Sequence, residues 1–565
     1  MSKKSFLQGA AVLALAGVIV RIIGAIYRIP LQNFIGNQGV AYYQYAYPVF
    51  NLLLTLSTAG VPGAISKMVS ERLVHDDDIN ARRVFYTSLF LLTGVGVFTS
   101  LAMWLGSPWI AQVAAQDNAA MALPSMVAIA PSLLLVSVLT AFRGYFQGQQ
   151  RMTPTAVSQV WEQVIKIIPG FLFAIQGFQY GASLGTTLQE QKTLAAMYGA
   201  AGATWGVTLS EAVALGYLVI AYLLDRHRGK HSRGARRAAV GSGNRRAVQR
   251  RRERFGKLSR ELTALALPMI AGAIFLPLSS AADMAIVSLR LKELGFDKDT
   301  SSILYGILTG MVNVLVNVPS VLSLSLSTSM IPAIADSRER GDLAAVERKS
   351  RVGMKMAMIV SIPCAVGLAV LAEPILRLLF HRDMTDALYA IGGDLLAVSS
   401  VSVIFLSIVQ STNGVLQGLG LVRVPMISLA VGALSKIVLN YILIGIPELN
   451  IHGAPWGTVA CYALAATINV VCITRMAKIR FNLGSMLIRP LLAAGFMGLC
   501  AWVIERYVSP FTGMATATVL AIVAAVPAYA LTGVVFGVIG KEELAFLPGG
   551  GKLSALLKRA HLLRG

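Results

Sequence analysis

Apolar residues dominate long stretches of this sequence, and polar residues are confined to short breaks between them. Stretches such as TSLFLLTGVGVFTSLAMWLG are almost wholly apolar over about 20 residues, the length that an α-helix needs to cross the hydrocarbon core of a bilayer. Reading from break to break gives about fourteen apolar windows, at residues 5–32, 42–70, 84–106, 124–148, 155–178, 196–224, 261–290, 303–332, 352–379, 388–417, 424–446, 453–478, 484–505 and 513–538. The pattern predicts an all-α integral membrane protein with about 14 transmembrane helices.

Lysine and arginine are distributed unevenly over the predicted loops. The loops DSRERGDLAAVERKSR and TRMAKIR are rich in them, whereas QNFIGNQGVAYY and GSPWIAQVAAQDNAAM contain none. Because basic loops stay on the cytoplasmic side of a membrane, the N-terminus is expected inside. An even number of spans then places the C-terminus inside as well.

The stretch 225–257 is the most basic part of the chain. It carries thirteen basic and two acidic residues, and thus half of the net charge of +22. Such a run can bind nucleic acid, but between two membrane spans we expect a cytoplasmic linker held against anionic lipid headgroups. The C-terminal GKLSALLKRAHLLRG is interpreted as a short amphipathic helix on the same membrane surface.

The sequence contains an internal repeat at an offset of 270 residues. Gly144, Gln147-Gly148 and Lys166-Ile167 of the first half reappear as Gly414, Gln417-Gly418 and Lys436-Ile437. Because the two copies are separated by an even number of spans, they insert with the same orientation and predict two parallel six-helix lobes around a central cavity. The predicted domains are an N-lobe at 1–224, a basic linker at 225–260, a C-lobe at 261–480, an additional helix pair at 481–540 and a cytoplasmic tail at 541–565.

Charged residues inside membrane helices are costly and usually face a bundle interior or an aqueous cavity. Arg21, Gly24 and Arg28 are spaced by three and four residues, so they share one face of the first helix. Two guanidinium groups on one face without an acid in the same helix indicate an external anion, and arginine suits bidentate contact with phosphate oxygens. The full set of candidate cavity residues is Arg21, Arg28, Arg143, Lys166, Asp283, Arg290 and Lys436, supported by Gly24, Glu162 and Asn440.

Several of these residues also have a purely structural interpretation. Glu162 and Lys166 are four residues apart and could neutralise each other. Arg143 could extend to the membrane surface. Lys436 and Asn440 could bridge helices within the second lobe, and Asp283 and Arg290, seven residues apart, could form a gate pair. The cysteines and histidines show no metal-ligand spacing, so no metal site or cofactor is predicted.

These residues lie in stretches that resemble a known family. RIIGAIYRIPL, STAGVPGAISKMVSER, FRGYFQGQQRMTPTAVSQVWEQ, STSMIPAIA and LQGLGLVRVPMISLAVGALSKIVLNYIL resemble bacterial lipid-linked oligosaccharide flippases of the multidrug/oligosaccharidyl-lipid/polysaccharide exporter (MOP) superfamily. The resemblance covers nearly the whole chain. It is greatest to the branch of stage V sporulation protein B and YtgP, which is related to the MurJ lipid II flippases.

The resemblance implies a plasma-membrane carrier, not an enzyme, that works by alternating access. Its substrate would be an undecaprenyl-diphosphate-linked sugar precursor, with lipid II for peptidoglycan as the first candidate, moved from the inner to the outer leaflet. Arg21 and Arg28 match the first-helix arginines that bind the diphosphate in MurJ-type members. The sequence departs from that pattern in having no acid after Arg28 and NLLLTL where MurJ-type proteins carry another arginine.

Other functions stay open at this stage. A flippase for a polysaccharide or spore-cortex precursor would fit the same pattern, as would a cation-coupled multidrug antiporter, for which Glu162 is the clear acid in the first lobe. A polymerase using the same lipids would need a large outside loop, and the outside loops are short. Coupling to the membrane potential, Na⁺ or H⁺ and contact with cell-wall synthesis proteins are expectations.

Overall fold

The computed structural model describes residues 3–75, 77–239, 252–479, 481–482 and 484–538, with the backbone alone at 3–18, 21–22, 25–26 and 226–239. Residues 240–251 of the predicted basic linker and the whole C-terminal tail lie outside this part of the chain. The described residues form helices throughout and no β-strand. The helices are α1 Lys3–Thr58, α2 Val61–Val74, α3 Asp78–Ala115, α4 Ala119–Gly148, α5 Met152–Leu184, α6 Leu188–Ala239, α7 Phe255–Ala273, α8 Phe275–Glu293, α9 Lys298–Gly306, α10 Asn313–Glu339, α11 Leu343–Val370, α12 Ala372–Leu379, α13 Asp386–Gly418, α14 Arg423–Ile444, α15 Gly453–Met476, α16 Arg489–Thr512 and α17 Met514–Val535.

Each predicted apolar window lies on one or more of these helices. In the described residues, 10 helical segments are long and apolar enough to cross a membrane, or 11 if the bent pair α7 and α8 is one span. The number is below fourteen partly because one continuous segment, Asp78–Gly148, contains two of the predicted windows. Helix α1 also runs across two windows, interrupted at Gly36, where φ is 74°. The predicted all-α membrane architecture is confirmed.

The helices form two compact units. The first consists of Met1–Tyr27 and Gln38–Ala285, and the second of Arg28–Asn37 and Ile286–Gly565. The sequence repeat placed span seven, at 261–290, in the second lobe, but in the structure α7 and the first part of α8 belong to the first unit.

The reason for this difference lies at the N-terminal end of α7. Arg72 of α2 pairs with Glu253 at 2.7 Å and with Glu261 at 2.8 Å. Leu258 and Leu262 of α7 are buried in an apolar core formed with α2, α3 and α4. A helix packs with the unit against which it buries apolar area, even where the sequence repeat relates it to the other unit.

The repeated glycines lie at close helix contacts in both units, which explains why the sequence repeats them. A Cβ at Gly144 would lie 2.8 Å from Ile65 Cβ, so α4 can approach α2 closely only because this position has no side chain. In the second unit a Cβ at Gly414 would lie 2.7 Å from the carbonyl oxygen of Ser327, where α13 packs against α10. Small residues at such contacts are what membrane helices need for close packing.

A cluster of charged residues in the first unit

The short connection between α4 and α5 places polar residues of both helices at the same depth. Helix α4 ends at Gly148 and α5 begins at Met152, so the two helices run in opposite directions from this turn. Arg143 lies less than two turns before the end of α4. Ser158 and Glu162 lie within three turns of the start of α5.

Arg143 is the centre of this cluster. Its Nη2 donates a hydrogen bond to Glu162 Oε2 at 2.8 Å, and its Nε donates to Ser158 Oγ at 3.1 Å. The two charged side chains are only 15% and 20% exposed. Charge-assisted hydrogen bonds of this kind are the stronger class, and the low exposure limits competition from water. These contacts to α5 give Arg143 a role that the interpretation as a side chain extending to the membrane surface did not include.

A second acid, Glu211 of α6, joins the cluster, and the sequence analysis missed it. Glu211 is only 7% exposed, and its Oε2 has no hydrogen-bond partner among the residues that the structure describes. The charges of Glu162, Arg143 and Lys166 act on it electrostatically. The available signal was one acidic residue in the otherwise apolar window GVTLSEAVALGY.

Lys166 lies one turn beyond Glu162 on α5. Its Nζ is 5.9 Å from the ring centroid of Tyr47, within the range of a cation–π contact. Glu162 pairs with Arg143, and in the described part of the chain Lys166 has no ion-pair partner. The predicted neutralisation of Glu162 by Lys166 is therefore wrong.

Arg143 and Lys166 keep hydrogen-bond donors that the described residues do not use. Arg143 uses Nε and Nη2 for Ser158 and Glu162, and for its Nη1 the described residues provide no acceptor. This nitrogen and the Lys166 ammonium are cationic donors on membrane-spanning helices, and both side chains act electrostatically on Glu211. Lysine and arginine at such depth are tolerated where they face an aqueous cavity or a counter-ion.

The first-helix residues are only partly described. Gly24 faces α5, since a Cβ there would lie 3.4 Å from Gln163 Oε1. The side chain of Arg21 lies outside the described residues. Arg28 is half-buried and belongs to the second unit, whose segment Arg28–Asn37 it begins. Binding of an anion by the first-helix arginines therefore stays a prediction.

Three of the remaining predicted residues lie in the second unit, and each is described by its own contacts there. In the second unit, Arg290 stacks on the ring of Tyr441 at 4.1 Å, donates from Nε to the Tyr441 carbonyl at 2.9 Å and pairs with Glu293. Asp283 lies in the first unit, so the predicted gate pair of Asp283 and Arg290 stays a prediction.

Lys436 and Asn440 lie one turn apart on α14, in the second unit. Asn440 is buried against α15, where a Cβ at Gly457 would lie 1.9 Å from its Oδ1. The amide therefore lies at the contact between α14 and α15, which fits the predicted structural role of Asn440.

Comparison with known proteins now identifies the family. The family model described as polysaccharide biosynthesis protein matches residues 6–338. The chain belongs to this family. A second model, MatE, matches residues 308–442, and with it the chain is a member of the MOP superfamily of flippases and transporters.

Relatives of known name support the same placement. Stage V sporulation protein B of Bacillus subtilis (strain 168) is 28% identical over 562 residues, which cover 98% of this chain and 99% of the relative. Lipid II flippase MurJ of the same organism is 27% identical over 541 residues, 93% of each chain. Among solved structures, lipid II flippase MurJ in an inward closed conformation matches with a TM-score of 0.66 at 15% identity, covering 93% of this chain and 98% of that one. At that identity the structural match shows the fold alone.

Proposed function

We propose that this protein is a flippase for undecaprenyl-diphosphate-linked sugar precursors, with lipid II as the foremost candidate. It would move the headgroup from the inner to the outer leaflet by alternating access. The family, the multi-pass helical fold and the names of the two relatives support a carrier of lipid-linked glycans rather than an enzyme. Related cargoes, a polysaccharide unit or a spore-cortex precursor, belong to the same chemical class.

The observation that carries this proposal is the cationic pair of Arg143 and Lys166 within membrane-spanning helices. A sugar diphosphate cannot enter hydrocarbon without losing its hydration, which is prohibitive for a charged group. Fixed cations in a cavity replace the lost water, and arginine and lysine are the residues that bind phosphate oxygens. In this proposal the Lys166 ammonium and Arg143 Nη1 bind the diphosphate.

The orientation proposed from the loop charges fits this direction of transport. Both termini are placed in the cytoplasm of a bacterial cell, with the protein in the plasma membrane. The basic linker and tail would then lie against anionic lipids of the inner leaflet. Coupling to the membrane potential, Na⁺ or H⁺ and contact with cell-wall synthesis proteins stay predictions.

The test uses cells depleted of their own lipid II flippase and expressing this protein. Lipid II reaching the outer leaflet is counted for wild type, Lys166→Met and Arg28→Ala. Lys257→Met, which removes a lysine that is 67% exposed in the first turn of α7, is the matched control. Export restored by wild type and Lys257→Met but lost in Lys166→Met supports the proposal. If lipid II stays inside although wild type is well expressed, lipid II is not the cargo.

A cation-coupled multidrug antiporter is the second candidate. Glu211 favours it, because it adds a buried acid to the partly exposed Glu162, the one acid that the sequence indicated in the first lobe. A MATE family multidrug transporter in an inward-facing conformation shares the fold, with a TM-score of 0.63 at 13% identity. Efflux of a cationic dye from intact cells that is lost in Glu211→Gln, together with no export of lipid II, would favour this function.

A further inference from the structure

The second half of α1 carries a polar and aromatic face that the cluster does not account for. Tyr43, Tyr47, Asn51 and Thr55 are each four residues apart, so they share one side of the helix. The Asn51 side chain is exposed, and in the described part of the chain its amide has no hydrogen-bond partner. An amide facing hydrocarbon would be costly, so we expect the Asn51 side chain to border water.

A cavity of about 300 Å³ opens beside this face within the first unit. Its polar lining consists of Asn51, Thr55 and Thr58 of α1 and Ser280 of α8, with three apolar residues completing it. No charged side chain lines it. Its volume is far larger than a bare ion requires and is of the size of a small polar group such as one sugar ring.

The hydrogen-bonding capacity of the cavity is mainly that of an acceptor. The hydroxyl of Thr55 donates to the Asn51 carbonyl at 2.7 Å, that of Thr58 to the Leu54 carbonyl at 2.8 Å and that of Ser280 to the Leu276 carbonyl at 3.1 Å. Since each hydroxyl has one hydrogen, these three groups can only accept further hydrogen bonds. Such a lining suits ligands with O–H and N–H donors and disfavours phosphate oxygens, which need donors.

We propose that this cavity binds the sugar that is attached directly to the diphosphate. The inference rests on the proposed function and names the part of the substrate that this subsite takes. Lys166 contacts the ring of Tyr47, and Asn51 lies one turn, about 5.4 Å, farther along α1. A diphosphate at Lys166 therefore places the adjoining sugar within reach of Asn51 and Thr55. The Asn51 amide supplies the one donor for a sugar oxygen.

The test compares two ligands on the purified full-length protein in lipid nanodiscs. One ligand is undecaprenyl diphosphate, and the other is the same lipid carrying one N-acetylhexosamine. The variants are Asn51→Leu and Thr55→Val, which keep the size of the side chains but remove hydrogen-bonding groups. Thr467→Val, whose exposed hydroxyl makes the same bond to its own helix, is the matched control. Thermal unfolding midpoints verify that all variants fold.

The expected result is selective. Loss of one or two hydrogen bonds should weaken binding of the sugar-bearing lipid about tenfold and leave undecaprenyl diphosphate within about twofold, with Thr467→Val like wild type. Equal weakening of both lipids, or no weakening of either, overturns the sugar subsite while the proposed flippase function stands. If neither lipid binds the wild-type protein, the proposed function itself fails.

Discussion

The two units share the repeated helices but differ in the side chains at two corresponding positions. In the first unit, α4 and α5 carry the ion pair of Arg143 and Glu162. At the repeat offset of 270, α13 carries Asn413, whose Oδ1 accepts a hydrogen bond from Asn469 Nδ2 at 2.9 Å. The position that corresponds to Glu162 is Gly432, where a Cβ would lie 2.7 Å from the Cys461 carbonyl oxygen.

This difference separates what the fold needs from what the charges add. The second unit packs the equivalent helices with neutral amides and glycines, so the ion pair of the first unit is not required to form this arrangement. Each charged residue at a helix centre costs about 2.5–3.5 kcal/mol on insertion scales. The second unit avoids this cost at the corresponding positions. We therefore attribute the charged residues of the first unit to binding, which is the basis of the proposed diphosphate site.

The largest difference between the units should come from the two repeated lysines. Lys166→Met removes a cation that has no ion-pair partner in the described residues. It should lower transport of the diphosphate lipid by at least about tenfold, which corresponds to the loss of one charge-assisted hydrogen bond. Lys436→Met should change it by less than about threefold. Initial rates of headgroup translocation in proteoliposomes measure both. Equal losses would contradict the assignment of the site to the first unit.

Truncation of Arg143 should destabilise the first unit more than truncation of Asn413, its counterpart in the repeat, destabilises the second unit. Arg143→Ala removes the hydrogen-bonded partner of the largely buried Glu162, which should lower the free energy of unfolding by about 3 kcal/mol. Asn413→Ala breaks one neutral hydrogen bond and should cost about 1 kcal/mol. Denaturant unfolding in detergent gives both values, and a smaller loss for Arg143→Ala would show that the pair contributes little.

The shared scaffold should respond alike in both units. Gly144→Ala and Gly414→Ala each place a Cβ where neighbouring atoms lie 2.8 and 2.7 Å away, so each should lose about 1–3 kcal/mol by overpacking. Thermal unfolding midpoints of the two variants should fall by similar amounts. Gly216→Ala is the control, since a Cβ there meets nothing within 4 Å. A fall confined to one unit would contradict a common packing role.

The smallest expected effect concerns pH and the α2–α7 contact. Burial alone would raise the pKa of Glu253, but hydrogen bonds from Arg72 and Lys257 outweigh it and hold the pKa below its ordinary value of 4.5. Because the folded pKa is lowered, the stabilisation is present above pH 4.5 and is lost as the pH falls through the folded pKa. Glu253→Gln should therefore lower the unfolding midpoint at pH 7 and lower it less at pH 4.

The second unit provides the control for this pH dependence. There Lys349 of α11 donates to neutral groups of α10, the Ala333 carbonyl at 3.0 Å and Ser337 Oγ at 2.7 Å. Ser337→Ala should have the same effect at both pH values. If Glu253→Gln also behaves identically at both, the ion pair with Arg72 does not stabilise the contact.

The sequence predicted the helices and the repeat because both depend on local patterns. Apolar windows decide where helices cross the membrane, and repeated glycines such as Gly144 and Gly414 mark close helix contacts. Partners were harder to predict, since spacing on one helix favoured Lys166 for Glu162 while the structure shows Arg143 of α4. Glu211 was missed because one acid in an apolar window gives no sign of which helices surround it.

The assignment of span seven to a unit could not be predicted from the repeat either. It depends on the contact of α7 with α2, made by Arg72 and a buried apolar core. The role of Asn51 is similar, since its exposure and its neighbour Ser280 become evident only once α1 and α8 lie together. Tertiary contacts of this kind leave no periodic pattern in the sequence from which they could be predicted.

The most direct test of the diphosphate site transfers the chemistry of the second unit to the first. The double variant Arg143→Asn and Glu162→Gly gives the first unit the residues that the second has at these positions. Equilibrium binding of undecaprenyl diphosphate to this variant and to wild type, both in nanodiscs, is the measurement. The account predicts a folded protein whose affinity is at least about tenfold weaker, the loss of one charge-assisted contact. Unchanged affinity in a folded variant would contradict the placement of the diphosphate at Arg143 and Lys166.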